Sequence, residues 1–131
     1  MNKLYDQYKE QVAFYVVYIQ EAHSSDLWQV PSNLNDGVLI ASPRNFEERG
    51  EVAGSCIRKL GIKIPAVLDD FQNSTEVAYT GWPDRLYVID RDGRVAHKSQ
   101  AGPYGFHPQD VAAALQRIVP PQTQTTSLGG Q

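Results

Sequence analysis

The run Phe14-Tyr-Val-Val-Tyr-Ile-Gln-Glu-Ala-His-Ser-Ser-Asp-Leu-Trp28 decides how this sequence is read. Its first half, with Val12 and Ala13 before it, is almost wholly apolar and rich in β-branched and aromatic side chains. That composition predicts a strand over Val12 to Ile19, covered on both faces. Its second half turns polar at Gln20 and puts Tyr18, Glu21 and His23 at the carboxyl end of that strand, where open α/β sheets carry their chemistry. Residues two apart on an extended chain point the same way, so the Glu21 carboxylate is placed to orient the His23 imidazole. Tyr18 faces the other side unless the chain bends at Gln20. A histidine in such a loop exchanges protons near neutral pH. The alternative is that Glu21 and His23 only form surface or loop-stabilising hydrogen bonds. No strand, turn and nucleophile of the kind such a pair assists is expected before this run.

Outward from this run, Leu4, Tyr5 and Tyr8 form a short helical stripe within Asn2 to Gln11, like the last turns of a helix. Ser24 to Asn35 is polar and turn-prone, and Val38 to Ala41 is briefly extended before Pro43. Asn45 with Glu48 reads as a capping box, followed by an inner stripe of Ala53, Cys56, Ile57 and Leu60 and a stop at Gly61. Ile64 to Leu68 is a second buried strand, and Asn73 to Tyr79 a short helix or loop. Arg85 to Asp90 and Arg94 to Lys98 flank Arg91-Asp92-Gly93 as a hairpin whose turn needs a positive φ at Gly93. Pro108 opens a last helix with Val111, Ala114, Leu115 and Ile118 on one face. Strand, helix, strand, hairpin and helix in this order predict an α/β protein with a mixed sheet.

At 131 residues the chain suits one domain, taken as residues 1–119, with a flexible tail over 120–131 that has little to bury. Twelve Lys and Arg against 15 Asp and Glu, scattered along the chain, leave no footprint for nucleic acid. No stretch approaches the ~20 apolar residues of a membrane span, and the first residues lack the apolar core of a secretory signal. The lone Cys56 excludes an internal disulfide and a C-x-x-C pair, and a reducing cytoplasmic setting is the expectation.

The other chemistry-bearing residues read more plainly. Cys56 lies on an apolar helical stripe with no helix N-terminus or adjacent cation to activate it, so packing is its expected role. His97, His107, Cys56 and His23 have no metal-ligand spacing, and no metal or cofactor site is expected. Asp69-Asp70 ends a buried strand, where surface solvation or loop capping is the expected role. Trp28 and Trp82 either line an aromatic pocket or pack over the sheet edge, and Pro83 is either an ordinary strand boundary or a cis residue beside a reacting group.

Tyr18-Ile-Gln-Glu21-Ala-His23, with Ser25-Asp26-Leu-Trp28 after it, closely resembles the iodothyronine deiodinase family and its bacterial relatives. The similarity continues through Arg44-Asn-Phe-Glu-Glu-Arg49, Pro65-Ala-Val-Leu-Asp69, Ala78-Tyr79, Pro83-Asp-Arg85-Leu-Tyr-Val-Ile89 and Gly102-Pro-Tyr-Gly105. It covers all but the tail. The resemblance implies a thioredoxin-like mixed sheet flanked by helices, with a peroxiredoxin-like insertion. It also implies reductive removal of iodine from an iodinated phenol, with an external thiol as reductant and no bound cofactor. Tyr18, Glu21 and His23 then handle substrate and transfer protons. Trp28, Trp82 and Pro83 form the expected pocket for a phenolic or halogenated small molecule, with Pro83 at the family's cis-proline position.

Three departures accompany the resemblance. The family nucleophile, a selenocysteine or cysteine, lies upstream of the matched region, so the N-terminal strand and nucleophile turn are expected to be absent here. A second family histidine aligns with Pro43, which has no proton to exchange. A further cysteine that some animal members carry near the Pro65 strand has no counterpart, and Cys56 substitutes for neither role. A selenocysteine codon read as a stop, with Met1 taken as the next start, would account for the first departure. Without the upstream strand, the neighbouring strands close on one another, take a strand from a second copy in a homodimer, or await one from upstream.

Overall fold

The structure is a computed structural model and describes residues 1–22 and 41–121. It is an α/β arrangement of parallel and antiparallel strand pairs flanked by helices, consistent with a thioredoxin-like fold. The elements run α1 (Asn2–Tyr8), β1 (Val16–Tyr18), α2 (Phe46–Lys59), β2 (Ala66–Leu68), α3 (Ser74–Tyr79), β3 (Tyr87–Ile89), β4 (Val95–Lys98) and α4 (Pro108–Ile118). The extended stretch predicted at Val38 and the tail beyond Pro121 lie outside the described residues.

The first strand is shorter than Val12 to Ile19 and is not covered on both faces: Tyr15 is 66% exposed. Its partner explains the asymmetry. β1 runs parallel to β2, with Val16 N–H donating to the Pro65 carbonyl at 2.9 Å and Asp69 N–H to the Tyr18 carbonyl at 2.9 Å. In a parallel ladder alternate residues face alternate edges, so the backbone of Val17 points away from β2. Among the described residues no strand lies there, and β3 pairs only with β4, antiparallel. The mixed sheet is thus two ladders of two strands, and the closure of one ladder on the other is not adopted among the described residues.

α2 follows the expected signals closely. Asn45 Oδ1 accepts from Glu48 N–H at 2.8 Å, and the Glu48 carboxylate reaches past Asn45 to Arg44 N–H, also at 2.8 Å. The helix stops because Gly61 adopts φ +59°, letting Ile62 N–H reach the Ile57 carbonyl and Gly61 N–H the Arg58 carbonyl. Leu60 departs from the expected stripe: it is the C-cap and 54% exposed. α1 docks on this corner through Asn2 Nδ2 to the Gly61 carbonyl and the Lys63–Asp6 ion pair at 2.9 Å.

The apolar core lies elsewhere, where Val111, Ala114 and Leu115 of α4 bury against Val88, with Leu4, Phe14 and Leu86 packed on its margin. The hairpin turn is as predicted. Gly93 has φ +77°, and Asp90 Oδ1 accepts from the backbone N–H groups of Asp92 and Arg94 at 2.9 Å each.

The Asp69 carboxylate, 2% exposed, joins β2 to α3. Oδ1 accepts from the N–H groups of Asp70 and Thr75, and Oδ2 from that of Glu76, each at 2.9 Å. Burial pushes this carboxyl up, but those hydrogen bonds together outweigh it and hold it below the ordinary carboxylate range. A depressed carboxyl contributes stability fully above the unfolded value and loses it as pH falls through the folded one. Asp69→Asn should therefore destabilise by at least the cost of a lost helix cap, roughly 1–2 kcal/mol at neutral pH. It should also flatten the fall of urea midpoints below about pH 5, where an unfolded aspartate begins to take up its proton. An unchanged fall would show that Asp69 titrates alike folded and unfolded.

A pair of glycines gives opposite signs. A Cβ on Gly105 would lie 2.2 Å from the Gln100 carbonyl oxygen, a backbone atom with no room to yield, whereas one on Gly54, inside α2, meets only the end of Arg58 at 3.2 Å. Gly105→Ala should lose roughly 1–3 kcal/mol and Gly54→Ala gain roughly 0.5–1 kcal/mol, read as opposite shifts in Tm.

Candidate functional site

β1 ends by delivering Tyr18, Gln20 and Glu21 to one corner of the molecule, where they meet α2 and the loop after β2. Tyr18 is half-buried, and its hydroxyl lies within hydrogen-bonding range of both the Glu21 carboxylate and the Cys56 thiol. Tyr18 and Glu21 are therefore brought together, although an ideal strand would have put them on opposite sides. β1 ends at Tyr18, and the chain is no longer extended beyond it. His23 and Trp28 lie outside the described residues.

The electrostatics of this group are set by two acids facing a phenol. Burial pushes the Tyr18 phenol far above its ordinary value, and the neighbouring Glu21 and Cys56 push it further, so Tyr18 keeps its proton and serves as a donor. Burial also pushes the Cys56 thiol up; a hydrogen bond from Tyr18 and the charge of Lys59 oppose this, and Glu21 adds to it. Cys56 is thus a thiol rather than a thiolate, which agrees with its exclusion as a nucleophile. Its contact with Tyr18 was not legible, because nothing local links residues on two separate elements.

Beside Glu21 lies a cavity of about 200 Å³ lined by Gln20, Glu21, Ser42, Pro43, Arg49, Phe71 and Asn73. Arg49 is 3% exposed; its guanidinium donates to the Asp70 carbonyl at 2.6 Å and stacks over Phe71 at 4.8 Å. The sequence did carry a signal for it, since Arg49 sits four residues before Ala53 and continues the inward stripe of α2. Asn73, in the left-handed region at φ 60°, donates from Nδ2 to Gln20 Oε1 at 3.3 Å and ties the loop to the end of β1. A larger depression of about 460 Å³, between α1 and the start of α4, is lined by Met1 to Leu4, Pro108, Gln109 and Ala112 and shares no described residue with this corner.

Trp82 and Pro83 line neither cavity. Trp82 is exposed, the Trp82–Pro83 bond, whose isomer the sequence left open, is cis, and the Gly102–Pro103 bond is cis as well. Gly81 lies against Ile19, with room for a Cβ at 3.5 Å from Ile19 Cδ1, which sets this loop beside the end of β1. Burial pushes the neighbouring Asp84 carboxyl up. Among the described residues no helix is long and apolar enough to cross a membrane.

Comparison with known proteins agrees with the motif order. The iodothyronine deiodinase family pattern matches residues 1–119. The chain is 30% identical over 116 residues to type I iodothyronine deiodinase of Xenopus laevis, covering 88% of this chain and 44% of that protein. It is 25% identical over 131 residues to human type II iodothyronine deiodinase, covering 98% and 48%. With human thyroxine 5-deiodinase the identity is 32% over 117 residues, covering 88% and 36%. The chain spans less than half the length of these relatives. From the family match and the ordered motifs around Tyr18, Glu21, Pro65 and Pro83, the chain belongs to the iodothyronine deiodinase family.

Proposed function

We propose that this chain carries the proton-delivering and substrate-holding part of a thiol-dependent reductive dehalogenase acting on an iodinated or otherwise halogenated phenol. The observation that carries the reading is the Tyr18 hydroxyl set against the Glu21 carboxylate, with Glu21 itself lining the Glu21–Asn73 cavity. In this reading His23 is the proton donor, Glu21 poises it and Tyr18 orients the pair. Trp28, Trp82 and Pro83 flank the approaching ring.

The chemistry balances as follows. A thiolate or selenolate attacks the ring iodine, and the carbon–iodine bond breaks with its electron pair left on carbon. His23 protonates that carbon, and a sulfenyl or selenenyl iodide remains. Two external thiols reduce it, releasing iodide and a disulfide and restoring the nucleophile. The attacking group comes from outside these 131 residues, which the greater length of the relatives and the protonated state of Cys56 support.

Iodide release from an iodinated phenol with excess dithiothreitol tests this. The 131-residue chain should give only the thiol blank, and a protein extended by the reading frame upstream of Met1, with in-frame stops left open, should turn over. In the extended protein His23→Ala and Glu21→Gln should each lower the rate by roughly 10²–10⁴. Turnover by the short chain, or a His23→Ala rate equal to the parent, would overturn the assignment.

A second reading rests on the open edge of β1 beside the exposed Tyr15. There the chain is a non-catalytic phenol-binding module whose sheet is completed by a second copy. Sedimentation across a wide concentration range decides it, since a monomer throughout removes it.

A further inference from the structure

Two aspartates of this chain close turns by accepting backbone N–H groups, Asp69 at the start of α3 and Asp90 in the hairpin. Asp84 acts differently. Its backbone carbonyl accepts from Gly102 N–H at 2.9 Å and ties residues 82–84 to the turn that begins at Gly102. Its carboxyl lies against Gly102: a Cβ there would stand 1.8 Å from Oδ2 and 2.1 Å from both Cγ and Oδ1. Oδ1 is buried with no hydrogen-bond partner among the described residues.

The side chain therefore fills a seat that only a glycine leaves open, and nothing in that seat favours a charge. Burial is the one influence on this carboxyl, and it pushes it up. The titratable groups on the neighbouring segments do not offset it. Arg85 turns its guanidinium to the Ser99 carbonyl at 3.4 Å, Lys98 reaches Thr80, and His97, Tyr104 and His107 do not act on it. A neutral carboxylic acid suits such a seat, whereas a carboxylate loses its water there without gaining a donor or a cation. A role as plain filler accounts for the packing. It does not account for an ionisable group.

The contact also has rings to move. Trp82 is 48% exposed, Tyr104 91% and Phe106 44%, all on the two segments that Asp84 and Gly102 join.

We propose that Asp84 is a proton-operated latch between residues 82–84 and the turn over residues 102–106. Neutral, it seats on Gly102 and holds the two segments together; ionised, it withdraws to water and lets them part. The latch stands apart from the dehalogenation reading, because it needs neither thiol nor substrate. The folded chain holds this proton more tightly than the unfolded one. The closed form is thus fully stable below the ordinary aspartate range and loses stability as pH rises through the folded value.

Carboxyl and amide NMR of the full chain between about pH 4 and pH 8 tests this. The Asp84 carboxyl carbon should titrate above the ordinary aspartate value of about 3.9. The Gly102 amide and the Trp82 indole should shift with the same midpoint. Across it the Gly102 N–H should lose protection from exchange by roughly tenfold beyond hydroxide catalysis. Asp84→Asn, which keeps the shape and removes the charge, should hold both signals at their low-pH positions throughout and keep Gly102 protected. Should that variant fail to fold, the coincidence of the midpoints in the parent decides. An Asp84 midpoint at or below the ordinary value would overturn the latch. Gly102 and Trp82 signals that stay still, follow the His97 or His107 rings, or shift alike in Asp84→Asn would overturn it too.

Discussion

The corner that carries the candidate chemistry depends on the buried Asp69 carboxylate. Among the described residues it forms no ion pair, and it is held by three backbone N–H groups. Such charge-assisted bonds are stronger than neutral ones and directional. They fix where β2 ends and where α3 begins, and the segment between them is Asp70, Phe71, Gln72 and Asn73. That short segment supplies the carbonyl that receives Arg49, the ring under its guanidinium and the amide that holds Gln20. Removing Asp69 would therefore loosen the cavity wall made by Phe71 and Asn73 and the seat of Arg49, although Asp69 itself lines none of it.

The two halves of the molecule are stabilised by different forces. Around β3, β4 and α4, apolar burial dominates, with Val88, Val111, Ala114 and Leu115 forming one cluster. Around β1, β2 and α2, the most deeply buried side chains are Ile64, Arg49 and Asp69, two of them charged. Hydrophobic burial is non-directional and indifferent to pH, whereas hydrogen-bonded charges are neither. The half that holds Tyr18 and Glu21 is thus the half whose geometry is more sharply specified and more sensitive to acid.

Elements governed by local rules were legible from residue order alone. Asn45 with Glu48, Gly61 and the Asp90–Gly93 turn each satisfy backbone groups within a few residues, Pro108 removes a helix-start donor that would have no partner, and each stands where its chemistry requires. The extent of β1 was not legible, because strand length depends on what lies alongside. An apolar run such as Val12 to Ile19 reads as buried on both faces, yet Val12 N–H turns back to the Tyr8 carbonyl, only Val16 to Tyr18 pair with β2, and Tyr15 stands in solvent. At the site, Tyr18 and Glu21 were legible as neighbours in sequence. Arg49 was masked by a helical stripe whose other members are apolar, and the approach of Cys56 to Tyr18 is a tertiary contact with no local trace.

That contact bears on which groups exchange protons. A cysteine facing a tyrosine invites assignment as a redox centre, but the local charges argue against it. Glu21 raises both the phenol and the thiol, and burial raises both again, so each group is held in its neutral form. A neutral phenol flanked by a carboxylate and a thiol is a fixed hydrogen-bond donor and neither a base nor a nucleophile. Glu21 Oε1 is itself buried without a hydrogen-bond partner. The phenol and the thiol beside Glu21 are therefore both held in their protonated forms, and the same burial and charge that fix Tyr18 as a donor oppose a thiolate at Cys56.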